Sequence, residues 1–218
     1  MTAAAAVPRR VFLVGDADVR PYPLLNSLVV PRPIAWISTL SEQGVGNLAP
    51  HSFFTVACAR PPIVQFTSVG AKDTLRNLEA TGECVVNIAA EPLLDQVNAS
   101  SAPFEAGVDE AAWLDIAMEE SMAVAPPRVA ASPASLECTL HSTVPLGDST
   151  VVFLDVVAIT VLESAIVDGH PAMEYLRPLS RLGRNEWGRP PEVFALDRPR
   201  SASDVPRVSS VSGDTATP

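Results

Sequence analysis

The stretch from Pro31 to Asn77 constrains the fold more than any other part of the chain, because strands, a hairpin and a helix start follow one another closely. The turn Ser41–Gly44 predicts that the strand before it returns as a hairpin toward Asn47. Asp73 is suited to cap the helix that follows, and Gly82 is suited to end it. The predicted strands cover residues 34–40, 52–58 and 63–68, and the predicted helix covers residues 74–80.

Two longer segments rich in Val, Ile and Thr predict the largest β element of the chain. They cover residues 135–145 and 150–162, and the turn Leu146–Ser149 between them indicates an antiparallel pair. A short apolar strand is predicted at 84–88, and helices are predicted at 91–100 and around 111–114. We expect a mainly β domain of six to eight strands with two or three short helices, and a barrel rather than a sandwich, because tight turns join most strands.

Composition favours one folded domain and argues against binding to nucleic acid. The 218 residues are 47% hydrophobic and 18% charged, which is typical of a globular chain with a sizeable core. The net charge is −10, whereas affinity for a phosphate backbone needs clustered Lys and Arg. We expect a loosely ordered leader over residues 1–20, a domain over 21–198 and a disordered tail over 199–218.

The sequence predicts a cytoplasmic protein with no membrane partner and no metal site. No apolar run reaches the ~18 residues needed to span a bilayer. The arginines near the N-terminus follow the alanine run instead of preceding it, which is the reverse of a signal peptide. Cys58, Cys84 and Cys138 lie in apolar runs without metal-binding spacing, which indicates buried free thiols in a reducing compartment.

The loop before the predicted helix has the composition of a phosphate site. Ser68 and Thr74 supply hydroxyls, Gly70 supplies a flexible backbone, and Lys72 is the only lysine among 15 Lys and Arg residues. Unpaired N–H groups and the positive end of the helix dipole meet at a helix start, where they attract phosphate. Lysine is the point-charge partner of phosphate, so a single ammonium at this position suggests a specific role. The alternative is an exposed residue that happens to be lysine.

The order of several motifs resembles the flavin reductase-like family, whose members have the FMN-binding split β-barrel fold. The similarity runs from about Leu28 to Leu196 and includes PRPIAWIST, GxGNLAPHSFF, PPIVQFTS, GxKDTLRN, ECVVNI, NASSAP and RLG. The resemblance implies a homodimer with FMN in a cleft close to the subunit interface and with NADH or NADPH as reductant. Some members pass reduced flavin to a partner monooxygenase, and others keep their flavin and act as electron carriers.

The resemblance also implies the residues that would contact FMN. Ser68, Lys72 and Thr74 would hold its phosphate. Asp73 would take part through its backbone N–H as the helix cap, because its carboxylate repels phosphate. Arg181 would approach the flavin, near the phosphate or the nicotinamide dinucleotide. The other candidates are Trp36, Ser38 and Thr39 on the first strand and Asn47, Ala49, Pro50, Ser52 and Phe53 facing the ring.

These assignments have structural alternatives. A lone Trp in a strand, such as Trp36, is usually part of the core, and Asn47 could form a turn at the hairpin exit. We interpret His51 as a hydrogen-bonding structural residue, because hydride transfer to flavin N5 needs no protein acid or base, and we assign no catalytic residue.

The segment Gly183–Trp187 differs from the tyrosine-containing form of the family, so the preference for NADH or NADPH stays open. The role of residues 103–128 also stays open.

The primary expectation is an NAD(P)H-dependent flavin reductase that supplies reduced flavin or electrons to a partner. A second possibility is an electron carrier, or a flavin-dependent enzyme that acts on a specific organic substrate without NAD(P)H activity. A third is a non-enzymatic barrel that binds another ligand, such as haem, or a partner protein, because a fold does not by itself determine a function.

Overall fold

The structure of the protein is a computed structural model that describes residues 7–205. Residues 1–6 of the predicted leader and residues 206–218 of the predicted tail lie outside this range. The domain boundaries at residues 21 and 198 therefore stay predictions.

Within the described range there are five short α-helices, and the prediction of two or three was wrong. The unpredicted helix α1 has Pro21 and Pro23 in its first turn, where a missing N–H breaks no helical hydrogen bond. The predicted helix at 91–100 is instead a 3₁₀ turn, Glu91–Leu93, followed by α3. The helices are α1 Pro21–Leu28, α2 Asp73–Thr81, α3 Leu94–Ala99, α4 Glu110–Trp113 and α5 Met173–Leu176.

Seven strands form the main sheet, as the sequence predicted, and seven further strands have only two residues each. Such short strands are below the length at which a sequence pattern can be recognised. The strands are β1 Arg32–Pro33, β2 Ala35–Leu40, β3 Gly46–His51, β4 Phe54–Cys58, β5 Ile63–Val69, β6 Glu83–Ile88, β7 Met118–Glu119, β8 Arg128–Val129, β9 Ala134–Leu146, β10 Ser149–Val161, β11 Ile166–Val167, β12 His170–Pro171, β13 Ser180–Arg181 and β14 Trp187–Gly188.

The main sheet is antiparallel and has the order β3-β2-β6-β9-β10-β5-β4. Its two edge strands, β3 and β4, are separated in sequence only by Ser52 and Phe53. Three Cα-to-Cα steps span at most about 11 Å, so the sheet must curl until its edges are close together. The His51 and Phe66 rings, from β3 and β5, lie 4.7 Å apart. The predicted barrel is confirmed.

The predicted antiparallel pair is also confirmed, as β9 and β10, each of which has 13 residues. Gly147 has φ of +62° in the turn between them, a conformation that glycine adopts without steric cost. The register shifts between Phe153 and Leu154 and again between Val156 and Ala158. Such bulges bend a strand and increase its twist, which lets the long pair follow the curved wall of the barrel.

The strand β2 is buried on both faces, so it separates two hydrophobic clusters. Ala35 and Ile37 face the barrel interior, which α2 helps to fill through Leu75 and Leu78. Trp36 faces the other cluster. That second cluster also includes residues of the neighbouring segments, among them Leu48, Val97 and Ala111.

The helix α2 begins one residue earlier than predicted, and Asp73 is not its cap. Lys72 occupies the N-cap position without a capping side-chain hydrogen bond, and Asp73 is the first helical residue. The Asp73 carboxylate instead pairs with Arg76 in the same helix. Gly82 has φ of +77° and ends the helix as predicted.

We predict that Leu78→Ala lowers the free energy of unfolding by about 2–5 kcal/mol, because it leaves a cavity where α2 fills the barrel. Urea unfolding followed by tryptophan fluorescence measures the change. Leu146→Ala, at the exposed end of β9, is the control and should change stability by less than about 0.5 kcal/mol. Equal losses in the two variants would contradict the packing of α2 described above.

Candidate functional site

A cleft of about 430 Å³ lies between the end of β3, the start of α2 and the segment 100–110. We call it the Lys72 cleft. Its volume is within the range of small-molecule sites in proteins. Six of the predicted cofactor residues line it: Asn47, Ala49, Pro50, Lys72, Asp73 and Thr74. The predicted phosphate loop and the predicted ring-facing segment therefore meet in one cleft.

The start of α2 presents positive charge to this cleft. The Asp73 carboxylate is paired with Arg76, whereas Lys72 has no carboxylate within 4.0 Å in the part of the chain that the structure describes. Lys72 immediately precedes the first turn of the helix, whose N–H groups have no partner within the helix. An ammonium and these N–H groups together suit an anion such as phosphate.

A buried polar network connects α2 to β2 and β3 beneath the cleft. The Asn47 side chain donates hydrogen bonds to the Thr74 hydroxyl at 3.1 Å and to the Thr39 hydroxyl at 3.3 Å. Asn77 of α2 donates to the same Thr39 oxygen at 3.0 Å. Thr39, Asn47 and Thr74 are all buried. These residues therefore hold the start of α2 against the end of β2 and the start of β3, and Asn47 and Thr74 also line the cleft.

His51 is a buried, neutral member of this network. Burial, and to a smaller extent the positive charge of Lys72, lowers the pKa of His51 to about 3. Its Nε2 atom lies 3.2 Å from the Thr74 hydroxyl oxygen, and its ring packs against Phe66. These contacts agree with the interpretation of His51 as a structural residue.

Glu110 is a buried cleft residue that the sequence did not reveal. Its Oε2 atom accepts the Leu48 backbone N–H at 2.8 Å, which joins α4 to β3. Burial raises the pKa of Glu110, the Leu48 N–H opposes this rise, and Asp73 and Asp109 add to it. A Cβ atom on Gly46 would collide with the Asp109 carboxylate, so glycine permits this approach. Asp109 caps α4 through its side chain. An aspartate before the helix is the one sequence signal that could have located the helix start.

Two further clefts extend the Lys72 cleft. A cleft of about 150 Å³, which we call the Arg181 cleft, shares Pro50 and Ser101 with it. Ser52 and Arg181 line this second cleft. A mainly apolar cleft of about 530 Å³ contains Phe53 and shares Ser52 with the Arg181 cleft. The three clefts are therefore contiguous along the end of β3 and the Ser52–Phe53 link.

The other predicted residues are buried and already bonded within the protein. The Trp36 indole N–H donates to the Ser100 hydroxyl at 2.9 Å, and the side chain is fully buried. The hydroxyls of Ser38 and Ser68 both donate to backbone carbonyl groups. The surroundings of Trp36 favour the core alternative, and direct contacts from these residues to a cofactor stay predictions.

Among residues 7–205, no group of three or more His, Cys, Asp or Glu side chains is arranged to hold a metal ion. Within the same range, no helix has the length and apolar character needed to cross a membrane. The three cysteines are free, and Cys84 and Cys138 are fully buried on the paired strands β6 and β9.

Comparison with known proteins identifies relatives over most of the chain. Residues 27–177 match the flavin reductase like domain family. An uncharacterised protein of Halalkalibacterium halodurans is 39% identical over 190 residues, which are 82% of this chain and 90% of that protein.

Solved structures show the same fold. Nitrilotriacetate monooxygenase component B from Bacillus cereus has a TM-score of 0.81 and 28% identity, and the match covers 87% of this chain and all of that one. The 2-nitrobenzoate 2-nitroreductase of Pseudomonas fluorescens has a TM-score of 0.80 and 25% identity, covering 94% of this chain and all of that one. The prediction of a split-barrel fold is confirmed.

We predict that the protein loses stability as the pH falls from about 6.5 to about 3, partly because of His51. The pKa of His51 in the folded state, about 3, lies below the ordinary value of 6.5. The unfolded chain therefore binds more protons in this interval, and acid favours unfolding. The urea midpoint of His51→Gln should fall less between about pH 7 and about pH 4.5 than that of the parent. His170→Gln, which removes an exposed histidine, should keep the parent's pH dependence, and an unchanged dependence in His51→Gln would contradict the prediction.

Proposed function

Because this chain belongs to the flavin reductase-like family, we propose that it binds FMN and works as an NAD(P)H-dependent oxidoreductase. The observation that carries the proposal is the Lys72 cleft, where the only lysine of the chain lies beside the start of α2. FMN has a phosphate at one end and a flat ring at the other. The neighbouring clefts offer a cationic end, which suits the phosphate, and a region lined by small residues, which suits the ring.

The phosphate would lie at the start of α2. The Lys72 ammonium and the N–H groups of the first helical turn would bind it. The repulsion expected from Asp73 is reduced, because Arg76 pairs with its carboxylate. The Thr39–Asn47–Thr74 network keeps the helix start fixed against β3, so that the anion site is formed before the ligand arrives.

The ring would lie toward the Arg181 cleft. Ala49 lines the Lys72 cleft, Ser52 lines the Arg181 cleft and Pro50 lines both, and the compact side chains of these residues permit close approach to a flat ring. Bound FMN would supply the acceptor for a hydride from NADH or NADPH. The Arg181 guanidinium provides positive charge near this end, which favours negative charge on a reduced flavin. The protein would therefore act mainly by holding and orienting the reactants.

We extend the proposal to the partners. The similarity to a monooxygenase component B supports transfer of reduced flavin or electrons to a partner enzyme. A homodimer is proposed from the family resemblance. Exposed apolar side chains on the β9–β10 pair, such as Val157 and Ile159, give this surface the character of a contact face.

A second candidate is a flavin-dependent enzyme that reduces an organic substrate. The apolar cleft beside Ser52 has the volume of a small-molecule site, and a nitroreductase is among the similar structures. Anaerobic mixing of the FMN-loaded protein with NADH or NADPH separates the candidates. Bleaching of the flavin supports the reductase. A flavin that stays oxidised with both donors, in a protein that reduces an organic substrate once dithionite has supplied the electrons, supports the second candidate.

We predict that Lys72→Ala weakens FMN binding by at least about tenfold, because it removes a charge-assisted contact to the phosphate. Titration of FMN fluorescence measures the dissociation constant. Riboflavin has no phosphate, so its binding should change little in the same variant.

Arg60→Ala is the matched control, because Arg60 is an exposed cation at the β4–β5 turn. It should leave FMN binding unchanged. If Lys72→Ala held FMN as tightly as the parent, the phosphate assignment would be wrong. If the parent bound no FMN, the proposed function would fail.

A further inference from the structure

The small sheet β1-β13-β14 brings arginines together without acidic partners. Arg32 on β1 is directly opposite Arg181 on β13, and like charges in opposite positions are destabilising. Arg184 follows in the turn after β13. Within residues 7–205, none of these three guanidinium groups has a carboxylate within 4.0 Å.

The partners of these arginines are uncharged. Arg32 is buried, and its terminal nitrogens donate only to backbone carbonyl groups, while its Nε atom has no partner. Burial, and then the charge of Arg181, lowers the pKa of Arg32. Arg181 donates to the backbone carbonyl of Arg184 at 2.9 Å, and its guanidinium lies 4.6 Å from the centre of the Trp187 ring. The chain has a net charge of −10, yet none of its described carboxylates pairs with these three guanidinium groups.

Arg181 and Arg184 border a further cleft, which lies next to the Arg181 cleft. The cleft has a volume of about 470 Å³ and is lined by Arg181, Arg184 and Asn185 of the β13–β14 hairpin. We call it the hairpin cleft. It shares Arg181, Asn98 and Trp187 with the Arg181 cleft. The hairpin cleft is therefore a neighbour of the Arg181 cleft, toward which we propose that the flavin ring lies.

The turn that carries the exposed Arg184 has a hydrogen-bonded backbone. Two backbone hydrogen bonds, from Leu182 to Glu186 and from Glu186 to Gly183, close the turn. Arg184 has φ of +53°, which is uncommon for a residue with a side chain. A Cβ atom on Gly183 would collide with Ser27 of α1, so this glycine allows the hairpin to pack closely against the helix. The exposed guanidinium is thus carried by a well-anchored turn.

We propose that Arg181 and Arg184 bind a phosphate group of the reduced nicotinamide dinucleotide. The proposal rests on the proposed function, because it assigns the site for the reductant of that reaction. Guanidinium groups bind phosphate through paired hydrogen bonds, and the dinucleotide carries phosphates far from its nicotinamide. Asp95 also lines the hairpin cleft and would repel phosphate, so the attraction has to come from the two guanidinium groups. The buried charge of Arg32 adds to the attraction.

Calorimetric titration of the FMN-loaded protein with NADP⁺ and NAD⁺ tests this assignment. Arg184→Ala should weaken binding of at least one dinucleotide by about tenfold. Arg184→Lys, which keeps the charge, should lose less. Arg60→Ala again serves as the control and should change neither affinity. FMN binding should be the same in all of these variants, because Arg184 does not line the Lys72 cleft.

The dinucleotides whose binding weakens in Arg184→Ala identify which phosphate group Arg184 contacts. Weaker binding of NADP⁺ alone assigns Arg184 to the 2′-phosphate, and weaker binding of both dinucleotides assigns it to the pyrophosphate. Unchanged binding in Arg184→Ala, or a parent protein that binds neither dinucleotide, would overturn the assignment. If NADH or NADPH reduced the flavin of the parent but Arg184→Ala bound both dinucleotides as tightly as the parent, this assignment alone would be overturned. If the parent bound no FMN, the proposed function would be overturned instead.

Discussion

The two-residue link between β3 and β4 is the constraint on which the rest of the structure depends. These strands are at opposite edges of a seven-stranded sheet, and the short link forces the sheet to close. Closure creates an interior, and Leu75 and Leu78 of α2 fill part of it. The same link carries Ser52 and Phe53, which line two of the contiguous clefts. The short link therefore underlies both the closed barrel and the row of neighbouring clefts beside it, from the Lys72 cleft to the hairpin cleft, which we call the groove.

Closure also explains how the candidate site is held together. Packing α2 into the barrel brings Thr74 and Asn77 against Asn47 and Thr39 of the neighbouring strands. A buried network of this kind is stabilising only when its members find partners, and every one of these side chains does. The start of α2 is therefore held in place by core packing and polar contacts together. An anion bound there would need little rearrangement of the protein.

The sequence predicted the parts of this structure that depend on local pattern. The β9–β10 pair, the hairpin at β2 and the end of α2 at Gly82 follow from alternation and turn residues. It did not reveal Glu110, because its role depends on a contact with Leu48 far away in the chain. For the same reason, the sequence left the core and cofactor alternatives for Trp36 open and gave no sign of its hydrogen bond to Ser100. Two-residue strands such as β13 were also missed, although they bring Arg32 and Arg181 together.

The distribution of charge favours particular anions over anions in general. A net charge of −10 repels polyanions at long range, but salt screens this repulsion beyond about 8–10 Å. Lys72, Arg181 and Arg184 have no acidic partner among the described residues, and all three line the groove. A flexible polyanion therefore meets an acidic surface, whereas a ligand whose phosphates fit the groove meets cations. Shape and charge together would then select a flavin nucleotide at one end of the groove and a dinucleotide at the other.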